Sequence, residues 1–431
     1  MKVLMFGWEF PPHISGGLGT ACYGLTRGLS VLPDVDVLFV VPKKFGDEDQ
    51  SSIRLLGANQ VPVLHREVHV EGMSRKLESI EVGVNIYPYI DPEVFKKLAV
   101  TEWVENNRYI TSDETGRLSF SGGYGVDLMQ EISKYAIVAS SIAYENEFDV
   151  IHAHDWLTYP AGMVARQVSG KPLVIHVHAT DFDRSGGNVN PVVFEIEKSG
   201  MEAADRIITV SNLTRNIVIE KYGIAPEKVV TVYNAVDPGI HRDGFLTERA
   251  FPEKVVTFLG RITLQKGPEY FVEAANLVLQ RMSDVRFVMA GSGDMMAKMV
   301  RRAASLGITD RFHFTGFLKG EDVYRMLYMS DVYVMPSVSE PFGISPLEAM
   351  QSSVPVIISH QSGVAEVLQH AVKVDFWDTH AMADAIFGIL SYPALHRFFS
   401  RHGKDEVDAL KWENSAFRVR EVYYHVLGLR T

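Results

Sequence analysis

Residues 337–350 read SVSEPFGISPLEAM, and the rest of the chain is best understood outward from them. They follow DVYVMPS (331–337), an apolar run that predicts a buried strand ending at Pro336. Gly343 permits a tight turn, and PLEAM predicts the first turn of a helix, with Ser345 as N-cap and Pro346 at the first helical position. Strand, loop and helix N-terminus thus meet within one short piece. In an open parallel sheet such a junction attracts anionic ligands, because unpaired backbone N–H groups and the helix dipole point there. Two carboxylates flank it, Glu340 in the loop and Glu348 in the first helical turn. Carboxylates do not hold an anion, but they suit hydroxyl-rich groups such as a sugar or a ribose. Each also has a plainer reading: Glu348 as a first-turn acid favoured by the dipole, and Glu340 as a solvated loop acid.

Upstream, KVLMFGW predicts a first strand, and FPPHISGGLG leads into a helix. Gly16, Gly17 and Gly19 would let backbone approach a ligand at the helix start. The spacing is not G-x-G-x-x-G, so no dinucleotide site is indicated. VDVLFVVP (35–42) is continuous and β-branched, as in a buried parallel strand. Residues 43–135 read as an insertion decorating the first domain, with β-like pieces such as VNIYPYI and helices near 93–106 and 124–146. FDVIHAHDW (148–156) and PLVIHVHATDFD (172–183) predict strands with histidines at their carboxyl ends. Helix 190–203, strand 206–211, helix 212–222 and strand 229–237 follow. PGIHRDGFLTERAFPEK (238–254) is polar, carries Pro and Gly and lacks periodicity, which marks a domain boundary.

A second alternation of strands and helices runs from VVTFLGRI to the closing helix WENSAFRVREVYYHVLGL. The pattern predicts two doubly wound α/β domains, an N-terminal one over 1–240 and a C-terminal one over 251–410, with 411–431 returning onto the first. Their strand carboxyl ends are expected to face each other across a cleft. The length of 431 residues fits two domains, and 46% hydrophobic with 22% charged residues is a globular composition. A net charge of −11 argues against nucleic acid as a partner. The single cysteine, Cys22, excludes an internal disulfide framework and suits a reducing cytoplasm. No apolar run approaches the length of a membrane span.

In GRITLQKG (260–267), Arg261 and Lys266 lie in a loop directly after a strand, where two cations fit a diphosphate. A solvated basic loop is the simpler alternative. MAGSG (289–293) places Gly291 and Gly293 in another strand-end turn, which passes close to a nucleotide base or only starts a helix. The histidines suggest a rival chemistry. His176 and His178 share a strand face and could hold one metal ion, as in metal-dependent hydrolases; His152 and His154 have the same spacing. Asp155 follows His154 directly and is expected on the opposite side, and no further Cys or His cluster completes a site.

FPPHISGGLG, HAHDW, HVH, VYNAVD, GRITLQKG, AGSGD, SEPFGISPLEAM and a last helix beginning WE occur in this order over nearly the whole chain. In these motifs the sequence resembles retaining glycosyltransferases of the GT-B fold, the superfamily that includes bacterial and archaeal glycogen and starch synthases. The resemblance implies a nucleoside diphosphate sugar as donor, with neither metal nor cofactor. It implies that Arg261 and Lys266 neutralise the departing diphosphate and that Glu340 binds donor-sugar hydroxyls. Backbone N–H groups of Phe342, Gly343 and Ile344 would hold sugar and phosphate, Gly291 would lie beside the nucleotide, and Glu348 would bind the ribose. From the first domain, Gly17 would approach the phosphate, His178 the sugar, and Asp155 the acceptor side. The implied reaction moves α-glucose from ADP- or UDP-glucose to the non-reducing end of an α-1,4-glucan. An alternative is transfer of another sugar to a lipid or cell-surface glycan precursor. One departure stands out: glycogen synthases carry Lys in a K-x-G-G loop, and the aligned residue here is Ile14.

Overall fold

A computed structural model describes residues 1–14, 16–63, 115–125, 127–237 and 252–429. The readings of VNIYPYI and of a helix near 93–106 lie outside these residues, as does most of the 238–254 boundary. Internal contacts divide the chain into two compact units. The first comprises Met1–Phe182, Asn188–Asn234 and Trp412–Thr431, and the second Asp183–Gly187 and Ala235–Lys411.

In chain order the first unit runs β1 (Lys2–Phe6), α1 (Gly17–Ser30), β2 (Asp36–Val41), β3 (Arg54–Gly57), α2 (Leu128–Glu145), β4 (Val150–His154), α3 (Tyr159–Ser169) and β5 (Leu173–Val177). It continues with α4 (Asp181–Ser185), α5 (Pro191–Ala203), β6 (Arg206–Thr209), α6 (Asn212–Tyr222) and β7 (Val229–Thr231). The strands form one seven-stranded sheet in the order β3-β2-β1-β4-β5-β6-β7, with every pair parallel. Helices cover both faces of such a sheet, so its central strands are apolar throughout rather than alternating. β4 and β5 are buried at every position. Tyr135 of α2 lies in this core and donates its hydroxyl to Val40 O at 2.7 Å, which satisfies its one buried polar group. β3 falls inside the stretch read as an insertion; its four residues, RLLG, are too few to show a strand pattern.

The second unit runs β8 (Lys254–Leu259), α7 (Pro268–Leu279), β9 (Val285–Ala290), α8 (Met296–Ser305), β10 (Phe312–Gly316), α9 (Glu321–Met329) and β11 (Val332–Met335). It closes with α10 (Ser345–Gln351), β12 (Val356–Ser359), β13 (Val372–Val374), α11 (Thr379–Ser391) and α12 (Pro393–Val407). Its six-stranded sheet has the order β10-β9-β8-β11-β12-β13, again all parallel. Phe258, Phe271, Phe287 and Phe312 build its core.

The last helix, α13 (Trp412–Val426), belongs to the first unit and packs along α1. Small residues make this possible. A Cβ at Gly24 would come 2.1 Å from the Trp412 ring, and one at Gly28 would come 2.6 Å from the Trp412 carbonyl. Ser415 adds a 2.7 Å bond to Tyr233 O.

In both sheets the strand order reverses direction once, between β1 and β4 and between β8 and β11. Loops leaving the carboxyl ends on either side of such a switch point diverge and leave a crevice, where ligands of open α/β sheets bind. Gly17 and Asp155 follow β1 and β4, whereas Arg261 and Glu340 follow β8 and β11. Topology therefore puts each group of candidate residues beside its own unit's switch point.

Candidate functional site

In the second unit β8 leads through Gly260 and Arg261 into a 3-10 turn, Leu264–Lys266. Gly267 then adopts φ +63° and starts α7. A Cβ on Gly267 would lie 2.1 Å from Pro336 O at the end of β11. Glycine is therefore what lets the two loops of the switch point touch. Val338 N donates to Gln265 O at 2.8 Å and reinforces the contact.

Lys266 Nζ donates to Glu340 Oε2 across this junction. Ser337 Oγ donates to the same carboxylate oxygen at 3.2 Å. The backbone of Glu340 is pinned as well: its N–H donates to Gln361 O at 2.9 Å, and its carbonyl accepts from Gly363 N at 2.8 Å. With its side chain only 8% exposed, Glu340 is not a solvated loop acid. A carboxylate withdrawn this far from water requires a paired cation and hydrogen bonds, and both are present.

Gly343 sits at φ +101°, and a Cβ there would be 3.1 Å from Met335 Cε and 3.2 Å from Glu340 Cγ. The loop turns tightly and presents its amides. Among the described residues the N–H groups of Gly343 and Ile344 have no protein acceptor. The Phe342 side chain is buried, and its carbonyl accepts from Val364 N at 2.8 Å. α10 begins one residue earlier than the sequence predicts. Ile344 occupies the cap position without a side-chain cap, and Ser345 is the first helical residue. The Ser345 hydroxyl is engaged elsewhere, 2.8 Å from Tyr333 Oη, which also donates to Leu259 O at 3.2 Å. Tyr333 thereby ties the ends of β8 and β11 to the start of α10.

Glu348 is half-buried, and burial, then Asp237, push its carboxyl pKa up to about 7. Gly291 has a structural reason to be glycine: at φ +144°, a Cβ would meet Gly260 O at 1.8 Å. Gly293 is equally tight against Ile262 O, at 2.3 Å. The GSG turn thus supports the Arg261 loop from behind, and Gly260 N and Ile262 N donate to Ala290 O and Ser292 O, each at 3.0 Å.

In the first unit Gly17 opens α1, and a Cβ there would meet nothing within 4 Å. Asp155 takes φ +59°, which ends the alternation of β4. An aspartate tolerates this left-handed geometry better than most residues. Its carboxylate accepts from His178 N at 2.6 Å and Ala179 N at 3.3 Å, so it anchors the loop that carries His178. The alternation rule that put Asp155 on the far side of the strand therefore does not apply. His178 also shares a 2.9 Å hydrogen bond with His154, between Nε2 and Nδ1. Its imidazole pKa is lowered by burial, with Asp155 opposing.

His152, His154, His176 and His178 form one buried column, with rings 4.2–5.4 Å apart. His154 and His176 are register partners across β4 and β5, and the rings of His152 and His176 lie nearly parallel, at 5°. Cys22, left out of any cluster by the sequence reading, lies beside His154 and His178. That reading also missed Ser337 and Asp237 as partners of the two glutamates. Asp237 could have been noticed because it closes the VYNAVD motif.

Residues 247–406 match the family described as Glycosyl transferases group 1, and residues 128–239 match Glycosyltransferase Family 4. An uncharacterized glycosyltransferase of Methanocaldococcus jannaschii is 27% identical, over 98% of each chain. The glycogen synthase of Mycobacterium tuberculosis is 23% identical, over 98% of this chain and 94% of that one. The alpha-maltose-1-phosphate synthase of Mycolicibacterium smegmatis is 30% identical, over 64% of this chain and 79% of that one. Among solved structures, sucrose-phosphate synthase from Thermosynechococcus elongatus superposes with a TM-score of 0.71 at 18% identity, covering 99% of both chains. Anabaena HepE, solved in complex with UDP-glucose, gives 0.65 at 15% identity, covering 99% of this chain and 100% of that one. Two parallel-sheet units together with these matches define a glycosyltransferase of GT-B architecture, and this chain belongs to that family. The hydrolase reading of His176 and His178 falls with that assignment. No helix among the described residues is long and apolar enough to cross a membrane.

Proposed function

We propose that this protein is a retaining glucosyltransferase that moves α-glucose from ADP- or UDP-glucose to the non-reducing end of an α-1,4-glucan. The observation that carries the reading is the Lys266–Glu340 pair at the switch point of the second unit, beside the unengaged amides of Gly343 and Ile344. A cation and preorganised N–H donors suit a diphosphate leaving group, and a fixed carboxylate suits sugar hydroxyls. Charge held in place before the reaction needs no reorganisation as the C1–O bond breaks, a contribution of about 10²–10³ in rate per donor group.

In this reading Arg261 and Lys266 take the developing diphosphate charge, and the amides of Phe342, Gly343 and Ile344 hold sugar and phosphate. Glu340 orients the glucose, Gly291 flanks the nucleotide, and Glu348 accepts from the ribose hydroxyls. Gly17 is assigned to the phosphate, His178 to the sugar and Asp155 to the acceptor side. The acceptor hydroxyl attacks on the face from which the diphosphate leaves, so the α configuration is kept. No residue is assigned as a covalent nucleophile, and no metal enters the step.

The test is nucleoside diphosphate release from a panel of sugar nucleotides, with and without glycogen, in the presence of chelator. Glycogen-stimulated release from ADP- or UDP-glucose, with an α-linked product, is the expected result. Release that glycogen does not stimulate from any donor would overturn the glucan as acceptor. The identity to an alpha-maltose-1-phosphate synthase supports a second reading, in which the acceptor is glucose 1-phosphate. Formation of maltose 1-phosphate when glucose 1-phosphate replaces glycogen in the assay would select it.

A further inference from the structure

We infer that Cys22, His154 and His178 form a binding site for one thiophilic divalent cation, with Zn²⁺ the ion its ligand set suits. The three come from different elements of the first unit: Cys22 from α1, His154 from the end of β4, and His178 from just beyond β5. One ligand atom from each, the Cys22 thiol sulfur and a ring nitrogen of each histidine, lies within 4.8 Å of the others. Tetrahedral zinc with bonds of about 2.3 Å to sulfur and about 2.0–2.1 Å to nitrogen needs ligand atoms roughly 3.3–3.6 Å apart. Side-chain shifts on the order of 1 Å close that difference.

Two observations beyond proximity point to a ligand. Cys22, His154 and His178 are 1%, 0% and 9% exposed, and His154 Nε2 and His178 Nδ1 are buried without a hydrogen-bond partner. A neutral imidazole has one donor and one acceptor nitrogen. In the His154–His178 bond one ring donates an N–H and the other accepts, so of the two remaining nitrogens one keeps a lone pair and the other an N–H without an acceptor. Such atoms are rare in native cores; an ion takes the free lone pair, and ligation by the second ring exchanges the His–His hydrogen bond for a bond to the metal. The second observation is charge: the Asp155 carboxylate lies beside the cluster, accepting from His178 N at 2.6 Å, and a negative group at that place favours a cation. The neighbouring set His152, His154 and His176 is equally compact. It lacks a thiolate, and Tyr423 Oη already holds His152 Nδ1 at 2.6 Å.

Because His178 is the residue proposed to meet the donor sugar, zinc occupancy and turnover would oppose each other. That consequence rests on the transfer reading, whereas the binding measurements do not.

The experiment uses the full chain, freed of metal by chelator and dialysis. It is titrated with Zn²⁺ by calorimetry and with Co²⁺ by absorption. One equivalent of each ion, with a thiolate-to-cobalt charge-transfer band and the strong visible bands of tetrahedral cobalt, is expected. Cys22→Ser should abolish the charge-transfer band and weaken zinc at least tenfold, and His154→Gln should weaken it similarly. His176→Phe should keep the band. Absence of the band in the wild type overturns the site, and that readout does not depend on any variant folding. Undiminished zinc binding by Cys22→Ser overturns it too, as does loss of binding in His176→Phe alone, which would place the ion in the three-histidine set.

Discussion

Glu340 and Glu348 look alike in sequence, both acids beside a predicted helix start, but their surroundings give them opposite electrostatics. Glu340 is paired with Lys266 and held by Ser337. Glu348 has Asp237 as its charged neighbour and, among the described residues, no cation bonded to it. For Glu340→Gln we expect turnover to fall about 10²–10³-fold while UDP affinity stays within the same order of magnitude. Steady-state kinetics with calorimetric UDP binding checks this, and unchanged turnover would remove the residue from the mechanism. Glu348 makes a prediction about pH. Its folded pKa of about 7 exceeds the unfolded 4.5, so the native state holds this proton more tightly. Stability tied to the group is present below 4.5 and is lost as pH rises through about 7. Glu348 is half-buried, so solvent screens part of the effect. Glu348→Gln should therefore melt with the wild type at pH 4.5 and above it at pH 8, by about 2–4 °C for each kcal/mol recovered. Equal melting temperatures at both pH values would show that Glu348 ionises freely in the folded protein.

At the scale of elements, two loops on either side of the second switch point are held together through one glycine. Gly267→Ala forces a Cβ into Pro336 O at 2.1 Å and strains a φ of +63°. We expect about 2–4 kcal/mol of destabilisation in denaturant titrations, from overpacking added to backbone strain. Lys266 precedes this residue, so turnover should fall as well; wild-type stability would mean that the loops do not touch as described. How much of this was legible follows from range. Strands, helices and the alternation of two α/β halves were readable because apolar periodicity is local. That Glu340, Arg261 and Lys266 lie in strand-end loops was readable because each neighbours a Gly or Pro. The Lys266–Glu340 pair spans 74 residues, and the Asp155 bond to His178 N spans 23; no pattern in sequence encodes such distances. The N-cap at Ser345 failed for a related reason: its hydroxyl is taken by Tyr333 from another strand. Cys22 gave no signal because a lone cysteine acquires neighbours only when α1 docks beside β4 and β5.

At the scale of the whole molecule, each unit has its own core cluster, while the chain enters the first unit again at its very end. Unfolding of a protein built from two such cores need not be two-state. Calorimetry should resolve two transitions, and the two can be assigned by acting on one unit at a time. On the proposed function, ADP or UDP bound to the second unit at 100 times its Kd would add about 2.7 kcal/mol to that unit's stability and should raise one transition selectively. Trp412 fills the space left by Gly24 and Gly28 and is 5% exposed. Trp412→Ala removes that packing from the first unit, at a cost of about 3–5 kcal/mol, and should lower the other transition. If one transition responds to both the nucleotide and Trp412→Ala, the units melt together, and the last helix stabilises the whole chain rather than the unit it packs on.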